Sequence, residues 1–253
     1  MKRIAVLVAL AAVVAACSST TRSSGIRSAP ASAPTSSAPT SSTPTTEALD
    51  PYADLSGSQK DHRLLSAARA GRTDDVALLL ASGADLETRD SRERTALLLA
   101  VTRNHLGAAR GLIAAGADPD ALDDRHDTPW LVTGVTGSVQ MAAALLRADP
   151  DLTIRNRYGG VSHIPASERG HDDYVAYVLG TTDIAVNHVN DLGWTALLEA
   201  VILGEGTDRW QNIVRSLLDH GADVSIADRN GVTALEHARR HGFVTIARML
   251  ERA

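Results

Sequence analysis

The chain has 253 residues, of which 44% are hydrophobic and 22% are charged, and its 30 acidic and 25 basic side chains give a formal net charge of −5. The acidic excess argues against a nucleic-acid partner, because phosphate binding requires a basic surface. The single cysteine, Cys17, excludes a disulfide within the chain.

The first residues have the layout of a secretory signal. Lys2 and Arg3 precede an apolar run from Ile4 to Ala16, which is too short to span a bilayer as a helix. The run leads into a Val-Ala-Ala-Cys sequence at 14–17, which resembles the bacterial lipobox. We therefore predict a lipoprotein signal peptide at residues 1–16.

Cys17 is the predicted site of lipid attachment. The lipobox resemblance implies diacylglyceryl transfer to the Cys17 thiol, cleavage before that residue, and anchoring of the mature chain by acyl chains such as palmitate. Two or three acyl chains hold a protein stably on a membrane, whereas one does not. The alternative is an ordinary signal peptide, cut after Ala16, with a cysteine that carries no lipid.

The segment after Cys17 has the composition of a tether. Residues 18–47 are mainly Ser, Thr, Ala and Pro, with almost no bulky apolar side chains. Such a segment cannot bury enough surface to fold. We predict a disordered linker over residues 17–55 and a folded domain over residues 56–253. A plain spacer is the favoured interpretation, and the sequence leaves open whether the linker is glycosylated.

The folded domain is repetitive, with a period near 33 residues. A hydroxyl side chain precedes each of five short Ala/Leu-rich stretches, at intervals of 33, 34, 33 and 38 residues: Thr95, Thr128, Ser162, Thr195 and Thr233. Such a period indicates stacked units, none of which can bury its apolar face alone. An insertion at residues 205–209 accounts for the longer last interval.

Each unit predicts two helices. The hydroxyl side chain is suited to cap the first helix, and Pro129 follows Thr128 where a missing N–H is tolerated. The second helix has apolar residues at helical spacing, as in residues 213–218. A glycine in the left-handed conformation then ends the unit, at Gly83, Gly116 and Gly221.

These motifs resemble the ankyrin-repeat family, in which a turn, Thr-Pro-Leu-His, two helices and Gly-Ala-Asp recur. The match is carried by Asp123 to Trp130, Gly193 to Leu197, Asp228 to Leu235 and three Gly-Ala-Asp triplets. The resemblance implies an all-α ankyrin-repeat solenoid of about six helix-turn-helix units with β-hairpin-like connections. Other side chains replace the family's histidine: Leu98, Leu131, Pro165, Leu198 and Glu236. The fourth unit is the most irregular.

Side chains capable of chemistry form no recognisable catalytic motif. Ser162 and His163 lack the glycine-flanked nucleophile elbow, and no glycine-rich phosphate loop is present. The His-Asp-Asp sequence at 171–173 could supply a base or metal ligands, but it stands where the family has a structural Gly-His. His237 and His241 could share a helix face as ligands, but no third ligand is near. We predict a non-enzymatic protein without a metal or cofactor.

The remaining candidate is a recognition surface. In ankyrin repeats the hairpin tips and the exposed ends of the first helices face partners. Carrying these positions over gives a set of protein-binding candidates: Arg92, Arg94, Arg103, Arg125, Tyr158, Asp191, Leu192, Trp194 and Arg229. Trp, Tyr and Arg supply most of the energy at interfaces. We predict that Trp130 is buried and Trp194 exposed, and leave the orientation of Trp210 open.

The fifth unit is similar to a subset of bacterial envelope ankyrin proteins. We therefore expect a monomeric, non-enzymatic scaffold or modulator that faces the periplasm or the exterior and contacts the membrane only through its lipid. Its expected partner is another envelope or secreted protein. An immunity-type inhibitor of a toxin is one alternative, and an enzyme or small-ligand binder is another. The identity of the partner and the membrane leaflet stay open.

Overall fold

A computed structural model of the chain describes residues 50–253. These residues contain twelve α-helices: α1 Gly57–Ala70, α2 Thr73–Ala81, α3 Ala96–Thr102, α4 Leu106–Ala114, α5 Pro129–Thr136, α6 Val139–Leu145, α7 His163–Glu168, α8 Asp172–Thr181, α9 Ala196–Ile202, α10 Asp208–Asp219, α11 Ala234–His241 and α12 Val244–Leu250. A 3-10 turn, Leu146–Ala148, follows α6. The predicted signal peptide, Cys17 and most of the predicted linker lie outside the described residues.

The helices form six two-helix units stacked in two layers. The odd-numbered helices pack against one another in chain order, and the even-numbered helices form the second layer in the same order. Apolar side chains from all six units join in one buried cluster. β structure within residues 50–253 is limited to two isolated bridges, Arg89 with Thr95 and Ala227 with Thr233. The predicted all-α solenoid is confirmed.

None of the helices in residues 50–253 combines the length and the apolar character needed to cross a bilayer.

Threonine side chains cap the first helices of units two, three, five and six. Thr95, Thr128 and Thr195 each accept a hydrogen bond from the backbone N–H three residues later, at 3.2, 3.1 and 3.2 Å. Thr233 forms a reciprocal capping box with Glu236. These are the predicted caps, and each typically stabilises its helix by about 1 kcal/mol.

The fourth unit departs from this pattern. Its loop closes through the Asn156 N–H, which donates to the Gly160 carbonyl at 2.9 Å. In units two, three, five and six an equivalent bond closes the loop, and the residue after the accepting one is the capping threonine. Val161 therefore occupies the threonine position, and the predicted assignment of Ser162 is wrong by one residue. Since valine has no hydroxyl, α7 begins without a side-chain cap.

Left-handed residues follow the second helices of units one, two, three and five, and three of them are the predicted glycines. Gly83, Gly116 and Gly221 have φ angles of 87°, 89° and 85°. Asp149 takes this role in the third unit, with φ of 53°. An aspartate tolerates the left-handed region better than most side chains, so the third unit keeps the same turn without a glycine.

Adjacent units are also joined at the loops between their two helices. Ring nitrogens of His105 and His171 lie 3.1 and 3.2 Å from carbonyl oxygens of the preceding unit, and Trp210 Nε1 donates to another at 3.3 Å. Each ring stands so close to a left-handed glycine of that unit that a Cβ there would collide with it, at Gly71, Gly137 and Gly170. The structural interpretation of His171 is therefore confirmed.

The chain contacts the stack before α1 begins. Ser82 Oγ donates to the Asp50 carboxylate at 2.7 Å, and Tyr52 is half-buried against the core. The Ser56 hydroxyl and Gln59 then form a capping box at the start of α1. The folded part of the chain therefore begins before residue 56, the predicted boundary.

Two glycines within helices differ in the space that surrounds their Cα atoms. A Cβ added at Gly134 in α5 would lie 1.8 Å from the carbonyl oxygen of Ser162, whereas one added at Gly111 in α4 would meet nothing within 4 Å. We expect Gly134→Ala to destabilise the protein by about 1–3 kcal/mol, because α5 and the start of unit four must separate. Gly111→Ala should stabilise it by about 0.5–1 kcal/mol. Equal midpoint shifts in thermal unfolding would contradict this account.

The fourth unit should also open first. Helix α7 has six residues and no side-chain cap, and Pro165 within it has no N–H to donate. The corrected alignment places Ile164, and not Pro165, at the position of the family's histidine. We expect the amides of α7 to exchange with solvent faster than those of α3 and α5. Equal protection of all three helices in hydrogen-exchange mass spectrometry would show that the missing cap does not matter.

Candidate functional site

The loops that lead into the first helices share one architecture. Each begins with an Asp or Asn whose side-chain oxygen accepts backbone N–H groups two and four residues later; for Asn190 the donors are Leu192 and Trp194, both at 3.0 Å. The same bonds form in units two, three, four and six. We use the term hairpin face for loops 89–94, 122–127, 155–160, 189–194 and 227–232 with the exposed ends of the first helices.

Two pairs of neighbouring loops are hydrogen-bonded through their backbones. Asp124 N–H donates to the Arg92 carbonyl at 3.1 Å, and Asp191 N–H donates to the Tyr158 carbonyl at 2.8 Å. The second bond holds the Tyr158 backbone of unit four against Asp191, the residue before Leu192 in unit five. These bonds link the loops of units two and three, and those of units four and five.

Three of the predicted arginines are engaged within the chain. Arg92 lies 3.8 Å from the Asp124 carboxylate, and Arg94 Nη2 lies 2.6 Å from a carboxylate oxygen of its own loop. Arg229 donates to the carbonyl of Asp191 in the preceding unit. Because these guanidinium groups already hold the loops, a partner would compete with existing contacts for them.

Arg103 and Arg125 differ from those three. Neither forms an ion pair within 4 Å among residues 50–253. Arg103 is exposed at the end of α3, and Arg125 is half-buried in the third loop. Of the predicted arginines, these two have the charge most available to a partner.

Exposed apolar side chains gather on the loops of units four and five. Tyr158 is 50% exposed, Leu192 47% and Val189 44%. Arg157 covers one side of the Tyr158 ring, 4.5 Å from its centroid, and also pairs with the Asp127 carboxylate at 3.3 Å. Val189 was not predicted. Comparison of the repeats could have identified it, because Val189 directly precedes the loop's Asn as the exposed Leu122 precedes the loop's Asp in unit three.

The three tryptophans are all at least partly buried. Trp130 is 1% exposed, as predicted, and its indole nitrogen has no hydrogen-bond partner among the described residues. Trp194 is only partly exposed and packs against the core, so its prediction as an exposed side chain is wrong. Its carbonyl accepts the Asn190 N–H that closes the loop, at 3.0 Å, which ties the residue to the stack. Trp210 is 8% exposed and packs on unit four.

Glu199 is the site residue that sequence reasoning missed. Its carboxyl lies on α9 below the fifth loop, is 6% exposed, and accepts a hydrogen bond from Asn190 Nδ2 at 2.7 Å. Burial, together with the nearby charge of Glu168, raises the pKa of Glu199 to about 7. In unit six the same two positions hold Asp228 and His237, paired at 2.9 Å. Units five and six thus differ at both positions together, with Asn and Glu in one and Asp and His in the other. This paired difference in the sequence could have revealed Glu199.

The histidines considered as metal ligands serve other contacts. His237 is paired within its own unit, and the His241 ring stacks on Phe243 with centroids 5.2 Å apart. Burial lowers the pKa of His163 to about 4, so this side chain is neutral at pH 7. No group of three or more His, Cys, Asp or Glu side chains within residues 50–253 is placed to hold a metal ion.

Two surface depressions lie away from the loops. One, of about 730 Å³, is lined by the insertion and the start of α10, from Glu205 to Trp210. The other, of about 400 Å³, lies between α4 and α6 and is flanked by Arg110 and Arg147. Neither brings together a nucleophile, a base and an oriented third group, which a catalytic site requires.

Comparison with known proteins identifies the class. The family described as "Ankyrin repeats (3 copies)" matches residues 64–156 and 163–252, and the chain belongs to this family. The ankyrin repeat protein YahD of Escherichia coli (strain K12) is 40% identical over 186 residues, which cover 74% of this chain and 92% of that protein. Ankyrin repeats form scaffolds for protein–protein interaction.

Solved structures agree with this assignment. An ankyrin repeat domain from Acinetobacter baumannii AYE superposes with a TM-score of 0.72 at 41% identity, over 76% of this chain and 97% of that one. The ankyrin repeat protein EF0377 gives a TM-score of 0.73 at 37% identity, over 76% and 98% of the two chains.

Glu199 predicts a pH dependence of stability. A carboxyl whose pKa rises from 4.5 in the unfolded chain to about 7 in the folded chain favours folding at low pH, and this contribution is lost as pH rises through that interval. Relative to Glu199→Gln, the wild-type protein should lose about 2–3 kcal/mol between pH 4.5 and 7. His163 titrates in both proteins, so it cancels in the difference. Parallel curves of urea unfolding against pH would disprove this assignment.

Proposed function

We propose that this protein is a protein-binding scaffold or modulator of the bacterial cell envelope, held on a membrane by lipid at Cys17, and that its hairpin face binds another envelope or secreted protein. The chain acts as a monomer and performs no catalysis in this role. Support for the anchor comes from the Val-Ala-Ala-Cys sequence after a short apolar run. Support for the envelope comes from the signal-like first residues.

The observation that carries the binding role is the apolar patch on units four and five. Tyr158, Val189 and Leu192 are each at least 44% exposed, and a backbone hydrogen bond joins the two loops that carry them. Aromatic and large aliphatic side chains on a rigid support lose little entropy when a partner covers them. Arg125 lies on the neighbouring third loop, where its charge can orient a partner.

The patch can be tested without disturbing the fold. Tyr158→Ala and Leu192→Ala remove exposed side chains, so each should change the free energy of unfolding by less than about 0.5 kcal/mol. Each should weaken binding to the partner captured from crosslinked envelopes at least about tenfold. Leu78→Ala is the matched control, since Leu78 is 41% exposed on α2 in the first unit. Unchanged affinity in both patch variants would place the binding site elsewhere.

Substitutions of Trp194 and Trp130 should differ in how much they affect partner binding and how much they affect stability. Trp194 is partly buried beside the patch, so Trp194→Ala should weaken partner binding at least about tenfold and also lower stability by about 1–2 kcal/mol. Trp130→Ala should cost about 3–5 kcal/mol, because it empties a fully buried site. Affinity is measured at a temperature where both variants are folded, as judged by circular dichroism. A Trp194 variant with full affinity would remove this residue from the site.

The anchor is tested at Cys17. Cys17→Ala removes the only thiol, so the variant should leave the membrane fraction and appear in the soluble one. Membranes are washed with high salt and carbonate, which release peripheral proteins, and the wild type is the control. A variant that stays with washed membranes would show that another feature holds the protein there.

A further inference from the structure

A carboxyl group with spare hydrogen-bonding capacity lies under the apolar patch. One oxygen of Glu199 accepts from Asn190 Nδ2 at 2.7 Å, and the other forms no hydrogen bond with residues 50–253. The Asn190 side chain also accepts the Leu192 N–H at 3.0 Å. One amide group therefore connects the buried carboxyl to a loop that presents the patch.

The carboxyl is peculiar to the fifth unit. Glu199 is four residues after the capping threonine, and that position holds side chains without a carboxyl in the other loop-bearing units: Leu99, Val132, Pro165 and His237. Along α9 it lies one turn before Leu203, which is 47% exposed at the end of the helix. Glu199 is thus on the side of α9 that reaches the hairpin face.

Carboxyl groups, with Glu199 included, outnumber cationic groups around this side chain. The charged groups facing Glu199 are Glu168 and Arg169, both at the end of α7 in unit four. Neither Glu199 nor Glu168 forms an ion pair within 4 Å among the described residues. Two carboxyl groups and one guanidinium group therefore meet at the junction of units four and five, beside exposed apolar side chains.

We infer that this part of the hairpin face takes a partner segment in which a lysine or arginine side chain lies next to an apolar side chain. The apolar side chain covers Leu192, Tyr158 and Val189, and the cation reaches the free oxygen of Glu199. This inference rests on the proposed function. A segment without a cation would bury the carboxyl further without compensation, and an acidic segment would add repulsion from Glu168.

Such recognition depends on pH in a defined direction. Burial holds the pKa of Glu199 near 7, so the carboxyl is largely protonated at pH 6 and largely ionised at pH 8. A cation binds the ionised form, and binding at pH 6 must therefore release a proton. Affinity for a cationic segment should rise as pH increases from 6 to 8.

Selection of peptides tests the inference. Random peptides displayed on phage are selected on the purified full chain at pH 8 and counter-selected on the Leu192→Ala, Tyr158→Ala double variant. We expect the recovered sequences to place Lys or Arg within a few residues of an apolar side chain. Glu199→Gln should weaken their binding at least about tenfold and abolish its rise between pH 6 and 8.

Glu205→Gln is the matched control, because this exposed carboxylate lies in the same unit but away from Asn190. It should change affinity by less than about twofold. Recovered peptides without a basic residue, or peptides that bind Glu199→Gln as tightly as the wild type, would overturn the inference and leave the patch as a binding site. Failure to recover any peptide that depends on Leu192 and Tyr158 would overturn the proposed binding face and this inference with it.

Discussion

The hairpin face depends on one side chain in each of units two to six, the Asp or Asn at the second position of the loop. Its oxygen accepts two backbone N–H groups, as Asn190 does from Leu192 and Trp194 at 3.0 Å. These groups would otherwise need water or another strand, and the chain has no sheet within residues 50–253 to offer one. Because the bonds are local, each loop keeps its shape whatever side chains its tip carries. The tips are therefore free to differ between units, and the apolar patch of units four and five is built on the same backbone as the arginine-rich loop of unit two.

Units four and five combine irregular folding with the features suited to recognition. Helix α7 lacks the side-chain cap that α5 and α9 have, and Glu199 introduces a carboxyl where units two and three bury Leu99 and Val132. His163 of unit four also keeps a ring nitrogen, Nδ1, without a hydrogen-bond partner among the described residues. Each such group costs stability, since a buried polar atom gives up its bonds to water. Sites that depart from local rules in this way are often functional ones.

The repeat period made the fold predictable, since it specifies caps, helix lengths and terminal glycines together. Thr95, Thr128 and Gly116 behave as the pattern indicates. The fourth unit was misaligned because Ser162 has a hydroxyl and Val161 does not, and only the loop's backbone bonds reveal the register. Burial of Trp194 was also missed, because position in a loop does not state on which side an indole packs. Side-chain contacts between units, such as that of Trp210 with the Glu168 carbonyl, depend on residues far apart in sequence.

Rings of one unit pack on glycines of the unit before it, and this limits how recombination can rearrange the units of such a chain. His171 lies over Gly137, Trp210 over Gly170 and the Phe243 ring over Gly206, where a Cβ would lie 2.4 Å from a ring carbon. Each pair differs in size and in hydrogen bonding, and each ring is shaped to the loop before it. Exchanging units four, five and six with one another would therefore bring together a ring and a loop that do not match. Although the units look alike, they are not interchangeable parts, and their order is a property of the protein that selection must preserve.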